Sequence, residues 1–467
     1  LTPPPPPKIV TVTPPTETIT VTSTISTTRV LTETWTTTTT IPPQTVTLTQ
    51  TITTTSTAII THTKTVTQVL IQTYTTSPSP TKATSKTGTP ITSCTTITKP
   101  GYYYLANDIK SGHGWCIIIA ANNVTIDGNG HKIEHGNIVI GEPEESGIRL
   151  VGRTGIVIKN IVFRNSLTAI DGELENCLIE GNKFISDYIT IGFEGTLSYC
   201  LVKNNEFINS GLSLTGFSRG NIIIINNFVN GKPLLYFENR KNVVIENIEI
   251  GQLIVMNSTN ITIRMIKISN TSSGIFFYKV INSIIEGCEI SKNIEGIRIF
   301  VSNNVTIKNN AIFNHRSDRF GRVAGVIIED GQNHRLINNT IKNNDIGIMI
   351  SSSNIIIASN KIINNSKGIY IEWILRNSII YNNLFNNFEN VYIYGKSIDN
   401  LWNLERATGK NILGGDLIGG NVWLSPDGKG CSQLCEDKNK DGFCDTPCWI
   451  GVRINNTIVD YFPLKYS

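Results

Sequence analysis

Between residues 94 and 400 short apolar runs alternate with asparagine. The tetrads "NIVF" at 160, "NKFI" at 182, "NEFI" at 205 and "NFVN" at 227 recur as "CEIS" at 288, "NAIF" at 310, "NTIK" at 339, "NKII" at 360 and "NLFN" at 383. Successive copies lie about 22 residues apart, the period of a stacked-coil solenoid. Each follows a short β-branched piece such as "GIVIK", "NIIII" or "NVTIK". The pattern therefore predicts coils of two or three very short strands with asparagine at the corners, where its tolerance of left-handed backbone is useful. Inward Ile, Val and Phe would stack coil on coil into one core. The predicted class is all-β, a right-handed parallel β-helix of about a dozen coils. At ~4.8 Å per coil it forms a rod ~55–60 Å long.

Residues 1–93 follow a different rule. Threonine alternates with apolar residues, as in "TVTLTQTITTTSTAIITHTKTVTQ" at 45–68. Period two with β-branched residues predicts strands with one threonine face and one apolar face. Val46, Leu48, Ile52, Ile60 and Val66 lie on the apolar side. The proline pairs at 14–15 and 42–43 fall between strands. A stretch such as 44–76 would extend ~105 Å, too long to pair with the rod, and a lone strand is unstable in water. An ordered arm is therefore expected to pair with copies of the same chain, by strand addition. The competing reading is an O-glycosylated stalk.

Charge and cysteine narrow the setting. Lys+Arg 40 against Asp+Glu 36 is too balanced for a nucleic-acid footprint, and no apolar run is long enough to span a bilayer as a helix. The chain begins at Leu1 and reads as a product whose leader has been removed. Cys94 and Cys116 precede the repeats; Cys431, Cys435, Cys444 and Cys448 follow them. Cysteines at domain ends suggest disulfide staples and an extracellular or cell-surface location, with a C-x3-C zinc site as the rival. Cys177 and Cys200 are one coil apart, expected as a disulfide or as two small core residues. Cys288 has no evident mate. Eight asparagines fit N-x-[ST]: Asn123, Asn257, Asn260, Asn270, Asn304, Asn338, Asn364 and Asn455, candidate glycosylation sites of a secreted protein.

The segments "CTTITKPGYYYLANDIKSGHGWCIIIAANNVTIDGNGHKI", "GGNVWLSPDGKG" and "DKNKDGFCDTPCWI" resemble the first coil and the C-terminal end of the NosD-like branch of the pectate-lyase-like β-helix superfamily, common in archaeal secreted proteins. The resemblance covers roughly three-quarters of the chain. It implies the fold, and a superfamily of carbohydrate-binding and carbohydrate-hydrolysing proteins; one solenoid hosts many activities.

No complete catalytic pattern accompanies it. "GHG" stands at 112–114, ahead of the first coil, without the N-T-D or D-D that polygalacturonase-like proteins carry, so the protein is expected not to be an enzyme. The one over-long coil carries the insertion "NHRSDRFGRVAG", with His315, Arg316, Asp318 and Arg319 as a candidate contact loop, or simply a solvated charged loop. "DKNKDGFCD" places Asp437, Asn439 and Asp441 at positions 1, 3 and 5 of a calcium loop, Gly442 at 6, the Phe443 carbonyl at 7 and Asp445 at 9. Structural calcium is the expected cofactor. Three regions follow: an arm at 1–93, the β-helix at 94–400 and a Cys-rich calcium cap at 401–467. The expected role is a subunit of an extracellular filament or surface assembly; the alternative is a carbohydrate-binding adhesin on a stalk, and a polysaccharide lyase or hydrolase ranks third.

Overall fold

The computed structural model describes residues 29–41, 44–56, 64–69, 88–112, 114–135, 146–166, 168–186, 189–192, 197–214, 222–316, 323–453 and 456–466. The chain divides into two compact units, one built on the threonine-rich strands and one that begins at Thr87.

The first unit is a three-stranded antiparallel sheet: β1 (Arg29–Ile41), β2 (Gln44–Ser56) and β3 (Lys64–Val69), in that order. Here the structure corrects one expectation. The arm does not run on as a single strand; β2 ends at Ser56 and is flanked on both sides within its own chain. Val46, Leu48 and Ile52 pair with Thr39, Thr37 and Glu33 of β1, and Ile52 also pairs with Val66 of β3. Period-two patterning gives strands but leaves their partners open, and here both edges of β2 are paired within the chain. Ile60 lies outside the described residues.

The second unit is the parallel β-helix, a solenoid of about 12 turns. Its first strand, Thr89–Ile91, pairs in parallel with Gly101–Leu105, so the solenoid starts a few residues ahead of the boundary expected at 94. Stacking is in register: Phe163, Phe184 and Phe207 pair coil to coil, with ring centroids 5.2 and 4.9 Å apart. Ile297, Val326, Ile348 and Ile369 form another fully buried column. Each such aliphatic side chain contributes about 1.5–3 kcal/mol of burial.

Asparagine does two jobs. At the outer corners it adopts positive φ, as at Asn160 (55°), Asn204 (55°) and Asn309 (58°). At the next position it turns inward and its carboxamide runs along the rod. The Oδ1 of Asn360 accepts the backbone N–H of Asn339 at 2.9 Å, and its Nδ2 donates to the Leu336 carbonyl at 2.8 Å. The same bonds join Asn310, Asn339, Asn360, Asn383 and Asn421 in one buried ladder, so the corners' backbone donors are satisfied without water. A second ladder holds Asn293, His315, Asn344, Asn365 and Asn387. Glycine makes room for it: a Cβ on Gly347 would stand 3.1 Å from the Asn365 amide, and one on Gly296 2.8 Å from the His315 ring.

Candidate functional site

The outer face of the longest sheet is the best-built surface on the rod. In register across successive coils, Ile254, Phe276, Arg298, Ile327, Met349, Tyr370 and Tyr392 project outward. An outward column rich in apolar and aromatic residues calls for a cover or a ligand. Its first part is covered. Ile254 and Phe276 belong to the same cluster as Leu212 and Leu214. The segment carrying them is fixed by Gln252, whose Oε1 accepts the Leu212 N–H and whose Nε2 donates to its carbonyl, both at 2.9 Å. Ile327 and Met349, with Ala324 and Ile346, form a second buried cluster against Tyr370.

Arg298 interrupts the apolar column with a charged network. Its Nη1 meets Glu295 Oε1 at 3.2 Å and its Nη2 meets Glu329 Oε2 at 2.9 Å; Ser273 donates to the other Glu295 oxygen. The two carboxylates come from adjacent coils, a juxtaposition that sequence spacing does not reveal. Glycoside hydrolysis asks for two carboxyls flanking a bond to be cut; here both hold one guanidinium between them. No catalytic pattern is completed among the described residues, and His113 of the "GHG" lies outside them.

Beyond Met349 the column ends in an open aromatic platform. Tyr370 and Tyr392 stack at 5.2 Å with an interplanar angle of 11°, and Tyr394 lies 6.4 Å from Tyr370 at 14°. The Lys367 ammonium sits 4.4 Å from the Tyr392 ring and 5.3 Å from the Tyr370 ring. Tyr394 and, on the strand that carries Tyr370, Trp373 are 63% and 67% exposed. Near-parallel phenol faces beside solvent offer flat apolar area with polar rims. The signal was present in the sequence: "KGIYIEW" and "ENVYIYG" put tyrosine at the same outward position one coil apart.

The over-long coil spans 29 residues between ladder positions Asn310 and Asn339. His315 is not a contact residue. It is wholly buried, its Nδ1 accepting the Asn293 N–H at 3.1 Å and its Nε2 reaching the Ile290 carbonyl at 3.1 Å. Burial holds its pKa down to about 4, against hydrogen bonds that favour the charged form. The histidine occupies a slot that neighbouring coils fill with asparagine, and a one-residue view of the sequence could not tell ladder from loop. Arg316 is exposed and donates to the Asn343 carbonyl; Asp318 and Arg319 lie outside the described residues.

The tail confirms its staples and revises its metal. Cys431–Cys448 and Cys435–Cys444 are disulfides, as are Cys94–Cys116 and Cys177–Cys200. That excludes the thiolate zinc site. Cys288 is buried and free, in the slot above Asn310. The "DKNKDGFCD" loop does not open its oxygens to a common centre. Asp437 accepts the N–H groups of Asp441 and Gly442, both at 3.0 Å; Asp441 accepts that of Phe443 at 2.9 Å; Asp445 accepts that of Lys438 at 3.0 Å. Asn439 bonds to Asp441 as well, and Arg406 forms an ion pair with Asp441. The Asp441 carboxyl stays below its usual range: burial opposes this, but the Phe443 N–H, the Asn439 amide and the Arg406 guanidinium outweigh it. The expected calcium shell is not assembled among the described residues, and Arg406 supplies the positive charge beside Asp441. Among the described residues no group of three or more His, Cys, Asp or Glu converges. Asp460 instead closes the asparagine ladder, accepting from the Asn421 and Phe462 N–H groups at 2.7 and 3.1 Å and the Trp423 indole at 2.8 Å.

Register and ladders together define a parallel β-helix. Residues 232–428 match the family described as "Periplasmic copper-binding protein (NosD)". Among solved structures, a double mutant of the periplasmic alginate epimerase AlgG is 14% identical, over 67% of this chain and 75% of that one, with a TM-score of 0.32. The AlgE4 A-module, a mannuronan C-5 epimerase of Azotobacter vinelandii, is 13% identical over 64% and 90%, with a TM-score of 0.25. Tailspike protein 2 of bacteriophage CBA120 is 12% identical over 75% and 52%, with a TM-score of 0.31. No curated protein matches the chain. Copper does not fit the residues described. Eight cysteines are in disulfides and Cys288 is a lone buried thiol; His131 and His135 bond to Asp108 and Ser166, His315 and His334 accept backbone N–H groups at Nδ1, and Met256 and Met349 are buried in apolar clusters while Met265 is exposed. No soft-ligand set of the kind copper selects is present among them.

Four disulfides fit an oxidising compartment, and no helix among the described residues is long and apolar enough to cross a membrane.

Proposed function

We propose that the chain is a subunit of an extracellular, cell-surface assembly, joined to copies of itself through its threonine-rich strands, with the β-helix displayed outward. The observation that carries this reading is β1. Its thirteen residues pair throughout with β2, and among the described residues no strand lies on its other edge. Arg29 and Glu33 are its only charged residues and it holds no proline. Such an edge lacks the usual devices against pairing and is a template for strand addition by a second copy. This amends the earlier expectation: β2, which carries Val46, Leu48 and Ile52, is the inner strand, and β1 offers the edge. Electron microscopy of the full-length protein beside a version beginning at Thr87 tests it. Filaments from the first and isolated rods from the second are expected. Thr36→Lys with Thr38→Lys should disperse the filaments and leave the rods folded. Isolated particles from the full-length chain would overturn the reading.

The aromatic platform favours a second reading, a saccharide-binding surface. Tyr370, Tyr392 and Tyr394 provide stacked rings, and Tyr394 and Trp373 are exposed, the kind of surface that sugar C–H faces pack on. Affinity electrophoresis in neutral and acidic polysaccharide gels should show retardation that Tyr392→Ala with Trp373→Ala removes. Unchanged mobility of the native protein in every gel would dismiss it.

A further inference from the structure

The sequon asparagines are not equivalent. All seven that the structure describes are exposed at positive-φ corners, yet most have spent the amide nitrogen that a glycan needs. Asn304 donates its Nδ2 to Asn282 at 2.7 Å, Asn338 to Asn309 at 2.8 Å and Asn257 to Glu238 at 3.1 Å. Asn270 bonds to Ser269, and its sequon hydroxyl, Ser272, is buried. Asn260 also has a partner. Asn123 is held against the next coil: a Cβ on Gly155 would stand 2.3 Å from its Oδ1.

Asn364 shares the positive φ and the exposure but differs in its amide and in its sequon hydroxyl, Ser366, which is exposed. Its φ is 55°, it is exposed, and among the described residues its amide nitrogen has no partner. Its backbone is fixed, the N–H donating to the Asn386 carbonyl at 2.7 Å. Asn365 turns inward to the buried ladder, which leaves Asn364 and Ser366 both exposed on the outside of one corner. The acceptor amide and the hydroxyl two residues on are thus presented together, on a rigid corner, without breaking any bond of the fold.

We propose that Asn364 is the site at which the folded chain accepts an N-linked oligosaccharide. The donor is a lipid-linked oligosaccharide. A bond forms between Asn364 Nδ2 and the sugar C1, the C1–O bond to the lipid phosphate breaks with its electron pair leaving on that oxygen, and the amide gives up one proton to the transferase. Replacing an amide hydrogen at Asn304, Asn338 or Asn257 would instead disturb an inter-coil contact. Glycopeptide mass spectrometry of the protein isolated from its native cell surface decides the matter. A hexose-containing mass on the peptide carrying Asn364, lost in Asn364→Gln and in Ser366→Ala but kept in Asn304→Gln, is the expected result. An unmodified Asn364, or glycan at Asn304 and Asn338 with occupancy equal to that at Asn364, overturns the proposal. Circular dichroism of the variants checks that each is folded.

Discussion

Two buried histidines make the β-helix sensitive to mild acid, and the structure supplies the replacements that remove the effect. His315 sits between Asn293 and Asn344 in its ladder. His334 accepts the Val305 N–H at 3.3 Å in a slot that Ser378 fills two coils on, accepting from Ile355. Burial lowers both pKa values from 6.5 to about 4, against backbone hydrogen bonds that favour the charged form. The folded chain then holds fewer protons than the unfolded chain between pH 4 and 6.5, so stability present above pH 6.5 is lost as the pH falls. From pH 6.5 to 4.5 each histidine contributes a loss of about 2.2 kcal/mol, at 1.36 kcal/mol per unit and with the unfolded imidazole already half protonated at pH 6.5. Asp460 works the other way. Burial pushes its carboxyl up to about 6, against its hydrogen bonds, so its stability is present in acid and lost as the pH rises from about 4 to 6. It returns about 2 kcal/mol over the same window. The native protein should therefore be about 2–3 kcal/mol less stable at pH 4.5 than at 6.5. His315→Asn with His334→Ser should reverse the sign. Guanidinium unfolding monitored by circular dichroism at both pH values reads this directly. An equal fall in the native protein and the double variant would refute the argument that ladder histidines carry the acid sensitivity.

Three shorter predictions concern the staples and the ladder. Asn360→Ala should cost about 4 kcal/mol by urea unfolding, because it strands the Asn339 N–H and the Leu336 carbonyl in the interior; a cost below 1 kcal/mol would remove the ladder from the stability argument. Cys431→Ser with Cys448→Ser opens a loop of 17 residues and should lower the stability of the tail by about 3 kcal/mol, seen as earlier hydrogen exchange at 448–460 with the rod unchanged. Excess EGTA should leave the unfolding midpoint where it was, since the oxygens of Asp437, Asp441 and Asp445 already hold backbone N–H groups and Arg406. A fall on chelation, restored by calcium, would reinstate the cation the loop pattern calls for.

The solenoid was legible because its signal repeats. One coil such as "NVTIKNNAIF" could be several things, but copies about 22 residues apart fix the stacking and leave only the hand and the cap. The disulfides were legible in the same way, from position at domain ends and from the one-coil spacing of Cys177 and Cys200. What the sequence could not show was direction. Val46, Leu48 and Ile52 mark a strand, but nothing in their alternation says whether the partner is β1 of the same chain or a second copy. Tyr370 and Tyr392 stand at matching places in "KGIYIEW" and "ENVYIYG" but were passed over, because an outward tyrosine in one coil is ordinary and only the register that pairs them makes a platform.

His315 shows where local chemistry misleads most. Alone it reads as a contact residue in a charged loop. It in fact occupies a ladder slot, as Asp460 does at the ladder's end. The slot, not the residue type, dictates the role: it must accept the N–H of the coil before it, and histidine Nδ1, asparagine Oδ1 and a carboxylate oxygen all can. Asp460 takes the last place, where the Asn421 N–H and amide, the Trp423 indole and the Phe462 N–H all point inward. Four donors converging on one side chain suit a group that only accepts. An asparagine there would turn its own NH2 toward one of them, so the ladder that asparagine builds is closed by a carboxylate.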